Sequence, residues 1–286
     1  MKRISLSQLT TLRWDLHQDL QIAVERGISG IGLWRPKVED YGVDETIELL
    51  HASGVKASSL SWIGGFTGSD GRRFSDAVED AIDAVELASR LGADTLVVLP
   101  GGRNNHIKRH LEKTLSQAMI EIDAVAAAHD VRLAIEPIHP GCGDQWSFLQ
   151  DIRATIDLIG SIASENIGLV LDTYHVGGDE DLPTLLPEIL PWLQLVQLGD
   201  SRRSMINEMN RCLLGEGRIP IMSILESLLA VGYDRWIEIE IQGQDVAPLG
   251  YANVIDHALG YVERCREMAG QTSPASGPSD ATPQKP

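Results

Sequence analysis

Residues 76–137 read DAVEDAIDAVELASRLGADTLVVLPGGRNNHIKRHLEKTLSQAMIEIDAVAAAHDVRLAIEP, and the period of the apolar side chains changes three times along them. Over 76–93 the spacing is helical, with Val78, Ile82, Val85, Leu87 and Leu91 forming a stripe beside exposed acids. DTLVVLP (94–100) is a short β-like run, 111–130 is again helical, and VRLAIEP (131–137) is again β-like. Gly92 and Asp130 stand where the two helices should stop. The unit is therefore helix–strand–helix–strand, and it extends in both directions. Further β-runs are RISLSQL (3–9), SGIGLW (29–34), VKASSLSWI (55–63), IGLVLDTYH (167–175), LQLVQLGD (193–200) and WIEIEIQG (236–243). That makes eight, each followed by a helix or a loop plus helix.

Strict βα alternation implies parallel strands with right-handed crossovers. Eight units over about 265 residues match a closed (β/α)8 barrel, which typically takes about 250. The open doubly wound sheet is the rival, but no G-x-G-x-x-G follows the first strand. The barrel is expected over residues 1–269. Residues 270–286 hold four prolines from Pro274 onward and no large apolar side chain, so they read as a disordered Pro/Ser-rich tail.

The whole chain has 286 residues, is 43 % apolar and carries a formal charge of −17, from 24 basic and 41 acidic side chains. Such a charge repels nucleic acid and anionic membranes at long range. Cys142, Cys212 and Cys265 lie far apart, which argues against a disulfide framework or a thiolate zinc site. No apolar run of membrane-span length occurs and the amino terminus has no signal-peptide core, so a soluble cytoplasmic protein is expected. No G-x-S-x-G places a serine nucleophile.

In (β/α)8 barrels the chemistry sits at the carboxyl ends of the strands. The last four strands end on residues that resist burial. The fifth ends on Glu136, the sixth on Asp172 and His175, the seventh carries Gln197 with Asp200 beyond, and the eighth places Glu238 and Glu240 on one face. That face must be the barrel interior or its rim, because isoleucines 237, 239 and 241 need the helix layer. Three carboxylates converging in one mouth repel unless protons or a cation neutralise them. A divalent ion taking Glu136, Asp172, Glu240 and the Gln197 amide oxygen solves this. Oxygen ligands favour Mn, Mg or Co, with Zn less suited. Each residue also has a plainer reading. Glu136 could brace a loop, Asp172 could cap a turn, Gln197 could satisfy backbone groups, and Glu238 could be the ligand in place of Glu240.

EPIHP (136–140), LDTYH (171–175), VQLGD (196–200), GEG (215–217) and GYDRWIEIEI (232–241) together resemble the xylose isomerase-like TIM barrel superfamily. The resemblance spans nearly the whole folded chain. It implies one divalent ion held by Glu136, Asp172, Gln197 and Glu240, with Gln197 standing where histidine is usual. It also implies that Glu136 and Glu240 move protons on opposite sides of a substrate, that His175 contacts a substrate oxygen, and that Arg211 faces the substrate. His139, three positions after Glu136, is expected to line the pocket. The implied activity is isomerisation or epimerisation of a small polyhydroxylated carbonyl compound, through a metal-stabilised enediolate. Gln197 keeps two alternatives open, a 3-dehydroshikimate dehydratase-like lyase and a non-catalytic sugar-binding barrel. A nuclease of the endonuclease IV kind is disfavoured by the charge. The resemblance also allows a homo-oligomer.

The loop 201–218 carries Arg202, Arg203, Arg211 and Arg218 against Glu208 and Glu216. These arginines suit either an anionic ligand or neutralisation of nearby acids. His106 and His110 read as residues at a helix start, without the glutamate of a metalloprotease helix. Trp14, Trp34 and Trp62 fall near the first three strand ends, where they either pack the rim or face a sugar.

Overall fold

In the computed structural model, which describes residues 3–143, 145–203 and 209–272, all eight β-runs pair with their sequence neighbours, and the first closes onto the last. The first half of the chain runs β1 (Ile4–Ser7), α1 (Leu16–Glu25), β2 (Gly30–Trp34), α2 (Arg35–Tyr41), α3 (Val43–Ser53), β3 (Lys56–Gly64), α4 (Phe74–Leu91), β4 (Thr95–Leu99) and α5 (Lys108–Ala128). The second half runs β5 (Arg132–Ile135), α6 (Pro140–Gly143), α7 (Ile152–Ile162), β6 (Ile167–Asp172), α8 (Thr173–Val176), α9 (Leu182–Ile189), β7 (Leu193–Leu198), α10 (Ile221–Ala230), β8 (Trp236–Ile239) and α11 (Tyr251–Thr272). Every pairing is parallel, as the βα alternation requires. α11 carries the chain three residues past the expected end of the barrel; the rest of the expected tail, 273–286, lies outside the described residues.

The helices follow local signals. Asp15 caps α1 in a reciprocal capping box with Gln18, and Gly92 ends α4 in the left-handed conformation, φ 66°. The buried face of α4 is narrower in side-chain size than its apolar stripe suggests. Ala77, Ala81, Ala84 and Ala88 line it with Val78, Val85 and Leu91, while Ile82 and Leu87 are only half-buried. Small side chains at helical spacing let α4 lie close against the sheet.

The strand β6 stops at Asp172, earlier than its sequence suggests. Asp172 accepts a hydrogen bond from the Tyr174 backbone N–H at 2.8 Å and turns Thr173–Val176 into a single helical turn. His175 is thereby lifted off the strand end and held in α8.

Period-two alternation then separates two apolar regions. Isoleucines 237, 239 and 241 join the large core between sheet and helices, as expected. Inside the barrel a smaller cluster of Val97, Ala134, Val170, Leu195 and Trp236 forms an apolar plug. Two residues past the plug come Glu136, Asp172, Gln197 and Glu238, and Glu240 follows two residues further along the chain toward the mouth. β2 supplies the space for this. A Cβ at Gly30 would come within 2.5 Å of the Trp236 ring, and one at Gly32 would overlap the Glu238 carboxylate. Among the described residues no helix is long and apolar enough to cross a membrane.

Candidate active site

The site is assembled from the ends of β5 to β8 and the loop after β7. Glu136 follows β5 and is fixed by its backbone N–H donating to the Val98 carbonyl (3.0 Å). Burial, with the nearby charges of Asp172 and Glu240, pushes its carboxyl well above the usual range. Glu240 sits one residue past β8, its N–H donating to the Leu198 carbonyl (3.1 Å). Its carboxylate accepts from Ser7 Oγ (3.2 Å), Gln197 Nε2 (2.8 Å) and Arg211 Nη2 (2.9 Å). Burial pushes its pKa up to about 7, with Asp172 adding to the rise and Arg211 opposing it.

Asp172, fully buried, accepts from Arg211 Nη2 at 2.6 Å. His175 Nε2 stands 3.6 Å from Asp172 and 3.7 Å from Glu136. Burial lowers its pKa to about 4, so the imidazole is neutral at ordinary pH and can act as a ligand or hydrogen-bond partner. Glu136, Asp172 and His175 each offer an atom, and these three atoms lie within 4.8 Å of one another.

Glu238 and Glu240 differ in depth. Glu238 lies below the mouth, where its carboxylate accepts from Ser58 Oγ (2.8 Å), Ser59 Oγ (2.9 Å), Ser5 Oγ (3.4 Å) and Gln197 Nε2 (3.1 Å). Gln197 thus gives its amide nitrogen to both glutamates, and its Oε1 is buried with no hydrogen-bond partner among the described residues. Glu136, Asp172 and the neutral His175 imidazole are donors of the kind a divalent cation takes, and the orphaned Gln197 oxygen and the Glu240 carboxylate line the same cavity. The charges agree, since one guanidinium faces Glu136, Asp172 and Glu240. The residues fit a metal ion.

Above these groups lies a cavity of about 270 Å³. Glu136, His175, Gln197, Arg211 and Glu240 form its polar floor, and Trp34, Trp62, Trp146, Leu12 and Ile138 are among its apolar walls. Trp62 meets Trp146 edge to face at 5.5 Å. A model described as xylose isomerase-like TIM barrel matches residues 20–265. The chain belongs to this family. Within the xylose isomerase-like barrels it is similar to an inosose isomerase of Bacillus velezensis, 21 % identical over 251 residues, covering 84 % of this chain and 88 % of that protein. Its fold matches the IolI protein solved with a zinc atom (TM-score 0.80, 18 % identity, 93 % of this chain and 99 % of that one). It also matches an L-ribulose 3-epimerase (TM-score 0.78, 19 % identity, 97 % and 100 %).

Of the four residues expected around a metal, Glu136 and Asp172 group with His175 within 4.8 Å, while Gln197 and Glu240 line the same cavity and are joined through Gln197 Nε2. Arg211 reaches the cavity but is engaged by carboxylates. His139 is half-buried on the far side of His175, its Nδ1 accepting from the Gly141 N–H (3.0 Å). There it lines a neighbouring cleft of about 670 Å³ with Arg203 and Arg218. The arginine loop serves both readings, because Arg202 neutralises Glu216 while Arg211 neutralises site acids. Glu208 lies outside the described residues. Asp200 is a brace for that loop, accepting from the backbone N–H groups of Ser201, Gly215, Gly217 and Ile219. The GEG motif follows from this, since a Cβ on Gly217 would collide with the Asp200 carboxylate. Trp34 and Trp62 face the cavity, whereas Trp14 packs on Tyr251 at 5.2 Å. His106 and His110 flank the start of α5.

Sequence reasoning passed over Trp146 and the serines under Glu238. Trp146 sits in an irregular segment after α6, with no periodicity to mark it. The serines could have been found from KASSLSW, a strand with three hydroxyls on a barrel that must bury Glu238.

Proposed function

We propose that this barrel is a divalent-metal-dependent isomerase or epimerase of a small sugar or cyclic polyol ketone. The observation that carries the reading is the pair Glu136 and Glu240. Both carboxyls are buried, both have raised pKa values, and they reach one cavity from strands separated by β6 and β7. Two buried carboxyls with raised pKa values that approach a ligand from different sides suit removal of a proton at one face and return at another.

Glu136, Asp172, Gln197 and Glu240, with His175 beside them, would hold the ion. When bound, it would polarise the substrate carbonyl and acidify the adjacent C–H. The chain's own residues do the rest. One of Glu136 and Glu240 takes the proton from the carbon beside the carbonyl. The other delivers a proton to the opposite face, giving the epimer, or to the neighbouring carbon, giving the isomer. His175, neutral, contacts a substrate oxygen. The tryptophan walls cover the apolar face of the ligand and exclude water, which protects the carbanionic intermediate from stray protonation. The zinc in the IolI protein and the inosose and L-ribulose names of the relatives support both the ion and the substrate class.

The test is solvent exchange. Protein loaded with manganese is incubated in D2O with D-ribulose, L-ribulose, D-fructose and an inosose, and the sugars are read by NMR and mass spectrometry. Deuterium at the carbon next to the carbonyl, lost in Glu136→Gln and Glu240→Gln, is the expected result. Absence of exchange, with added 3-dehydroshikimate instead losing water and giving a rising aromatic absorbance, would replace this reading with a lyase, the chemistry Gln197 leaves open.

A further inference from the structure

Arg211 has a pose that the fold builds in detail. Its backbone is pinned, with Arg211 N donating to the Gln242 carbonyl (2.8 Å), Asn210 N to Tyr174 Oη (3.0 Å) and Cys212 N to the Asp200 carbonyl (2.9 Å). Its stem crosses Gly199, where a Cβ would lie 2.7 Å from Nε and 2.9 Å from Cδ. The guanidinium stacks over Tyr174 at 4.5 Å and is 1 % exposed.

The hydrogen bonding of that guanidinium is lopsided. A buried arginine normally satisfies carboxylates with its fork, two nitrogens to two oxygens. Here Nη2 alone reaches both Asp172 Oδ2 and Glu240 Oε1, while Nε and Nη1 are buried with no hydrogen-bond partner among the described residues. The arrangement neutralises two acids and leaves donors unspent at the edge of a cavity. The two oxygens it covers belong to carboxylates of the cation site.

We infer that Arg211 is an exchangeable counter-cation. It holds Asp172 and Glu240 in the metal-free barrel, cedes them when a divalent ion enters, and then turns its freed N–H groups toward an oxygen of the bound ligand. The inference rests on the metal-binding reading above and adds an order of events. The site is never an uncompensated cluster of acids, and the arginine becomes available to substrate only once the ion is in place. Its direct consequence is that Arg211 opposes metal binding.

The experiment measures binding of manganese chloride alone by calorimetry, for wild type, Arg211→Met and Arg211→Gln, with melting of each metal-free protein. Both variants are expected to bind manganese at least tenfold more tightly than wild type and to melt lower without it. Equal or weaker binding by the folded variants, with wild type binding one ion, would overturn the inference and leave the metal site standing. No stoichiometric binding by any of the three proteins would overturn the metal site and the inference with it. If both variants fail to fold, the Nε–H NMR signal of Arg211 in wild type decides: a shift on adding zinc supports the exchange, and a fixed signal refutes it.

Discussion

The raised pKa of Glu240 has a measurable effect on stability. In the metal-free protein burial moves this carboxyl from 4.5 up to about 7. Between those values the native state holds a proton that the unfolded state has released, so stability falls as pH rises through the window and is level above it. At 1.36 kcal/mol per pH unit, a rise of about 2.5 units corresponds to roughly 3 kcal/mol. His175 acts in the opposite sense. It is neutral in the native state, with its pKa lowered from 6.5 to about 4, so its effect is a loss of stability as pH falls below 6.5. The two slopes partly cancel in the wild-type curve. Comparison with Glu240→Gln separates them, because His175 is common to both proteins. Glu136 is raised in part by the Glu240 charge, so removing that charge relaxes it and enlarges the difference in the same direction. Measured by thermal melting in EDTA from pH 4.5 to 8, the variant should gain on wild type by about 3 kcal/mol, roughly 6 °C for a chain of this size. A difference that does not change with pH would refute the account of a buried carboxyl that neighbours and desolvation hold protonated.

Three further outcomes follow from the packing. Gly32→Ala drives a Cβ into the Glu238 carboxylate, which four donors hold in place, and should lower the melting point by the equivalent of about 1–3 kcal/mol; an unchanged melt would show that the barrel interior is looser than described. Asp200→Ala strips the acceptor from four backbone N–H groups and should destabilise by about 2–4 kcal/mol, with faster proteolytic cleavage within 201–218 than elsewhere. Trp62→Ala opens one apolar wall and should raise the KM for a sugar ligand about tenfold while manganese affinity holds, a split that enzyme kinetics and calorimetry read separately.

Much of this was legible in the sequence because barrel strands alternate by two. WIEIEIQG alone tells that Glu238 and Glu240 point inward, and eight βα units tell that they do so inside a closed ring. What the period cannot tell is depth. Two glutamates on one face looked interchangeable as ligands, and their separation into a buried acceptor and a mouth carboxyl depends on serines from β1 and β3 and on the glycines of β2. The loop after β7 was legible mainly in composition. The resemblance singled out Arg211 among the four arginines as facing the substrate, but its path across Gly199 to Asp172 was not legible, because that contact joins residues 39 apart in the chain. His175 was placed at the strand end, but the Asp172 cap that lifts it into a helical turn is a local signal read there as an alternative rather than an addition. Asp172 is both the cap and a site carboxylate.

The central claim is that one divalent ion sits among Glu136, Asp172, Gln197 and Glu240. Anomalous diffraction from crystals soaked in manganese chloride tests it most directly. One peak is predicted within bonding distance of those side chains, with the Arg211 guanidinium moved off Asp172 and Glu240. No peak in the barrel mouth at saturating manganese, with Arg211 still joined to both carboxylates, would contradict the account.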